Sequence, residues 1–180
     1  MIRYLLSGLL ATQALVAAAQ LPPAMSARPL GASAVSTSMR VHALRLKPGD
    51  DLRQQLLGFV EQQHMKAATL VTCVGSLTTT TLRLANQEGP TVYKGHFEIV
   101  SLVGTLSING SHLHLAVSDS TGRTIGGHLL DGNIVYTTAE IVVGEMPELD
   151  FRRETDATYG YKELSVYPAK NKPKPRKAPR

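Results

Sequence analysis

The chain has 180 residues, enough for one domain with tails. It lacks Trp and carries one cysteine, Cys73, which excludes a disulfide framework. No apolar run reaches the length of about 18 residues that a membrane-spanning helix needs. The net charge of +5 is unevenly spread: residues 1–49 hold five Lys/Arg and no acid, residues 170–180 hold six and no acid, and the body between 50 and 169 has 8 basic and 14 acidic residues, a net of −6. The basic average therefore says nothing about the body's partners, and an acidic body is a poor platform for duplex DNA.

Residues 1–38 read as a targeting segment and linker. Arg3 precedes an apolar stretch, and Ala17 and Ala19 fit the small-x-small rule of signal cleavage. The absence of acid with several Ser and Arg equally fits a mitochondrial presequence, and Met39 offers an alternative start, which leaves a cytoplasmic or nuclear location open. From Met39 the pattern changes. "VHALRLK" (41–47) forms a strand, Pro48-Gly49 breaks it, and Asp50 or Asp51 caps a helix whose Leu52, Leu56, Phe59 and Val60 share one face up to about Met65. "ATLVTCVG" (68–75) reads as a buried strand with Cys73 as a small hydrophobe, and "TTTTLRLA" (78–85) as another strand. "HFEIVSLVGTLS" (96–107), "HLHLAVSD" (112–119) and "NIVYTTAEIVVGE" (133–145) follow, separated by "NG", "STG" and "DGN" turns that join antiparallel neighbours. The segment "EMPELDFRRETDATYGYKEL" is polar and shows no helical stripe. The Pro- and Lys-rich end is predicted to be disordered. One main helix and a run of hairpin-linked strands predict a single α/β (α+β) domain over 39–168, with a mainly antiparallel sheet and a basic tail over 169–180.

Three of the six histidines fall in "SHLHLAVSDSTGRTIGGHLL" (111–130). In a strand His112 and His114 share a face, with Leu113, Leu115 and Val117 turned to the core. "STGRTIGG" is short enough to fold the next strand back beside them, Gly126 and Gly127 permit close backbone approach, and His128 becomes the third candidate ligand. Three His with one open position is a ligand set of catalytic zinc. From spacing alone, H-x-H is also common on exposed sheet faces. His42, His64 and His96 read as ordinary polar residues.

The blocks "GHFEIV", "HLHL", "GGHL" and "TAEI", in this order, resemble the PPC domain, conserved in plants and prokaryotes, over about residues 39–168. The resemblance implies an antiparallel α/β domain assembling as a homotrimer. Plant members join AT-hooks to the domain, bind DNA and carry G-R-F-E-I-L. Many prokaryotic members carry three histidines that bind zinc in some of them, and His112, His114 and His128 match those positions. The tail "KPKPRKAPR" lacks the Arg-Gly-Arg of an AT-hook, although residues 170–180 are suited to DNA or an acidic partner.

If zinc is held, Glu140 in "TTAEIV" and Glu98 in "HFEIV" are the candidate catalytic acid/base groups. Glu140 could instead orient a histidine or cap a subunit contact. No nucleophile motif, phosphate loop or dinucleotide fingerprint names a reaction. Three functions follow as expectations: a trimeric zinc-type protein with hydrolytic or small-ligand activity; a DNA-associated regulator acting through its tail; and a scaffold trimer. The sequon "NGS" (109–111) would put a glycan beside His112, which with the unpaired Cys73 argues against secretion.

Overall fold

A computed structural model describes residues 36–158 and 160–170. The targeting segment expected over 1–38 lies outside the described residues up to position 35, and the basic tail lies outside them from position 171.

Eight strands and one helix follow in order: β1 (Arg40–Leu46), α1 (Leu52–Gln62), β2 (Ala68–Arg83), β3 (Thr91–Ser107), β4 (Gly110–Ser118), β5 (Thr124–Leu129), β6 (Ile134–Glu145), β7 (Leu149–Thr155) and β8 (Lys162–Pro168). β1 to β6 form an antiparallel sheet in the order β1-β6-β2-β3-β4-β5, and β5 also pairs with β2, so the sheet curls back on itself. The expected α+β class with one main helix holds. The two strands expected over 68–75 and 78–85 are one long β2, bent by register shifts at Leu70/Thr72, Gly75/Leu77 and Leu77/Thr79 instead of being interrupted.

Asp51 is the helix cap: its carboxylate accepts from the Arg53 and Gln54 amides at 3.0 and 3.2 Å, and from the Gly132 amide at 2.6 Å. The helix stops at Gln62, and His64 takes a left-handed φ of 52° that turns the chain so that Met65 is buried. Leu52, Leu56 and Val60 cover the inner side of the sheet, where Leu113, Leu115, Val117, Leu129 and Ile141 complete the core. The polar segment after β6 is a β-hairpin, β7–β8. Phe151 and Leu149 pack with Ala67, the Phe151 amide donates to Lys66 O at 2.8 Å, and Ser107 and Asn109 donate to Phe151 O. This hairpin docks against the β3–β4 turn and the Lys66–Ala67 segment that leads into β2.

Candidate metal centre

His112 and His114 project from the outer face of β4 because residues two apart in a strand share a face. His128 reaches them because β5 lies beside β4 in a register that sets His114 opposite His128. β5 in turn is held by β2, with Arg83 opposite His128. Gly127 makes that second pairing possible: a Cβ there would sit 2.7 Å from Arg83 O and 3.4 Å from the Leu82 Cβ. Gly104 (φ +136°) does the same on β3, where a Cβ would overlap the His112 carbonyl oxygen. Beyond β5 the buried Asn133 closes the turn. It donates to Thr81 O and Leu130 O at 2.9 and 2.7 Å and accepts from Thr81 N and Thr80 Oγ1, both at 3.1 Å. All of its hydrogen-bonding capacity is used, so the exit of β5 is fixed.

One nitrogen from each of the three rings lies within 4.8 Å of the others, and the ring centroids are 5.0, 5.1 and 5.7 Å apart. An ion at about 2.0–2.1 Å from each nitrogen of a tetrahedral set spaces its ligands by about 3.3 Å. Side-chain rotation on the order of an ångström therefore closes the set. His128 Nδ1 is buried without a hydrogen-bond partner, and an orphaned buried nitrogen requires an explanation. Burial first, then the charges of His112 and Arg83, push the His128 pKa down to about 4. Burial first, then Arg153 and His114, lower that of His112, and Glu163 opposes them. These two imidazoles are held neutral, the form that binds a metal. The donor set fits a divalent ion of the zinc type.

Glu98 and Glu140 do not join this group within the chain. Both are exposed. Glu98 lies opposite Ser118, at the far end of β4 from His112, and Glu140 is on β6 opposite Val74 and Arg45. The charged groups beside the histidines are Arg153 and Glu163, which line a cavity of about 290 Å³ with His112 and His114. Sequence reasoning passed over both, because they belong to the polar hairpin. The signal for them was the turn-like "TDATYGY" between two short runs. Arg83, on the flank of the second cleft with His114 and His128, gave no signal of its own. Cys73 is buried and its thiol is pushed up to about 12 by burial, as suits a packing residue.

Residues 33–147 are matched by the sequence model of the Plants and Prokaryotes Conserved (PCC) domain. The chain belongs to this family. The PCC domain, the PPC domain of the resemblance above, thus covers β1 to β6 and all three histidines, and ends before the β7–β8 hairpin. Over 136 residues the chain is 45% identical to the bifunctional protein GlmU of Synechococcus sp. (strain JA-2-3B'a(2-13)), matching 76% of this chain and 22% of that protein. It is 30% identical over 150 residues to AT-hook motif nuclear-localized protein 13 of Arabidopsis thaliana, matching 77% of this chain and 32% of that protein. The chain thus spans about a fifth to a third of the length of these relatives. Among solved structures, a hypothetical protein from Salmonella cholerae-suis matches 74% of this chain and 97% of its own, with a TM-score of 0.74 and 47% identity. A metal-containing protein from Archaeoglobus fulgidus shares the PCC fold with a TM-score of 0.66 at 23% identity, over 74% of this chain and 99% of its own.

Proposed function

We propose that this PCC-domain protein is a homotrimer that binds one zinc-type divalent ion per chain through His112, His114 and His128. The observation that carries the reading is the convergence of three imidazole nitrogens within 4.8 Å, one ring having a buried Nδ1 without a partner. The fold neighbour from Archaeoglobus fulgidus that is called metal-containing adds support. A three-histidine zinc with an open position supplies Lewis acidity. Glu140 and Glu98 keep their place as acid/base candidates across a subunit boundary, since both are exposed and outward valines lie next to them, Val74 on β2 opposite Glu140 and Val100 two residues from Glu98.

Untagged protein should contain about one zinc or similar ion per chain by elemental analysis. His114→Ala, an exposed position with little to lose in packing, should be folded and metal-poor. Full metal content in that variant would sink the assignment.

A second reading, association with DNA, is favoured by the similarity to a plant AT-hook protein. We assign such contact to residues 170–180, where six Lys/Arg meet no acid.

A further inference from the structure

The candidate ligand group on the outer face is three histidines with no carboxylate among them. Imidazoles bind as neutral donors, so a divalent ion held there keeps its full charge and favours an anion beside it. Two guanidiniums flank the rings. Arg83 lines a cleft with His114 and His128, and Arg153 lines another with His112 and His114. Neither belongs to an ion pair among the described residues.

Arg153 is the better seated of the two. Its hairpin, β7–β8, lies outside the matched PCC segment. Phe151, two residues earlier on the same hairpin face, is buried against the body, so Arg153 is turned towards the body as well. Its stem lies against Gly110 (φ +125°), where a Cβ would come 3.0 Å from the Arg153 Cγ. Its guanidinium donates to Lys162 O, which leaves further N–H donors of the fork uncommitted. Leu164 stands opposite Arg153 in the β7–β8 register and shares its face. Across the cleft lies Val103, opposite His114 on β3, and the two are its apolar walls. Glu163 also lines the cleft, but it stands on the other face of the hairpin, opposite the like-charged Glu154, and is exposed. The cleft thus offers one uncompensated cation between apolar side chains. Its volume of about 290 Å³ is at the lower end of the range of about 300–1,000 Å³ for small-molecule sites.

We infer that this cleft takes a small monocarboxylate with a short apolar chain, its carboxylate held by Arg153 and its chain laid between Val103 and Leu164. A guanidinium fork matches a carboxylate in both shape and charge. The inference rests on the three-histidine reading for the ion beside the cleft, though not for Arg153 and the two apolar walls.

Ligand-observed NMR titration of the full chain with butyrate, butyramide and acetate tests it. Butyrate should bind more tightly than butyramide, which lacks the charge, and more tightly than acetate, which lacks the chain. Arg153→Gln should weaken butyrate by about tenfold, the usual scale for losing a hydrogen bond to a charged group, and leave butyramide unchanged. Leu164→Ala, at a position 40% exposed and so with little to lose in folding, should weaken butyrate by about threefold, near the worth of one buried methylene, and spare acetate. Absence of saturable butyrate binding, equal affinity for butyramide, or unchanged butyrate affinity in Arg153→Gln overturns the inference. Metal content measured on the same samples separates the two readings: metal-loaded protein that does not bind butyrate defeats only this inference. Metal-free protein that binds butyrate through Arg153 upholds the cleft and defeats only the metal assignment.

Discussion

At His128 a half-buried imidazole faces two others and the Arg83 strand, and its pKa falls from the ordinary 6.5 to about 4. His112 is lowered as well, again chiefly by burial. The unfolded chain protonates these side chains near 6.5, whereas the folded chain resists until lower pH. Between those values the unfolded state binds more protons, so this contribution to stability is complete above about 6.5 and is lost as pH falls towards about 4. Metal-free protein should therefore show a melting temperature that declines over that window, and His128→Gln should flatten the decline. An equal slope in wild type and variant would show that His128 is not held neutral by the fold.

At the scale of elements the decisive feature is β5, a six-residue strand paired on both sides, with β4 and with β2. Its second pairing depends on the missing side chain at Gly127. Gly127→Val would drive a methyl-bearing Cβ into Arg83 O, a backbone atom that yields only if the strands part. The expected cost is about 1–3 kcal/mol in urea unfolding, the usual range for overpacking. Because His128 moves with β5, metal content should fall together with stability. A variant of wild-type stability and metal content would show that β5 is not anchored through β2. The β7–β8 hairpin is the other instructive element: its sequence is polar because one side faces water, while Leu149 and Phe151 supply its apolar anchors and hydrogen bonds to Lys66, Ser107 and Asn109 complete its attachment to the body.

At the scale of the molecule, α1 covers one side of the sheet and leaves Val71, Val74, Val100 and Val103 more than half exposed on β2 and β3 among the described residues. Outward valines on adjacent strands call for a cover, and closed cyclic symmetry is the usual way to supply one from a second copy. Light scattering on residues 39–168 should give about three times the chain mass; a monodisperse monomer at micromolar concentration would remove the trimer and with it any shared role for Glu98 or Glu140. Charge separates the two ends of the molecule's chemistry. With a net of −6 over residues 50–169, the body should leave duplex DNA alone, and deletion of 170–180 should abolish any retardation at physiological salt. Retardation by the truncated chain would contradict the charge argument.

What could be read without a structure was local. Period-two alternation put His112 and His114 on one face and Leu113, Leu115 and Val117 on the other; helical spacing after an acidic cap placed Leu52, Leu56 and Val60; short Gly-containing turns implied antiparallel neighbours. Each of these depends on residues a few positions apart, whose geometry the backbone sets by itself. The register of β5 against β4 and β2, which brings His128 to the other two rings, is non-local, and only the Gly126-Gly127 pair hinted at it. The continuity of β2 was hidden because bulges near Gly75 mimic a break between strands. The hairpin over 149–168 was hidden because a half-wet strand pair with two buried anchors has no strong apolar rhythm. Arg153 and Glu163 reach the histidines, and Glu98 and Glu140 stay away from them within the chain, for one reason: strand order across a sheet is decided by which long-range pairings bury the most apolar surface together, and no window of sequence contains both partners.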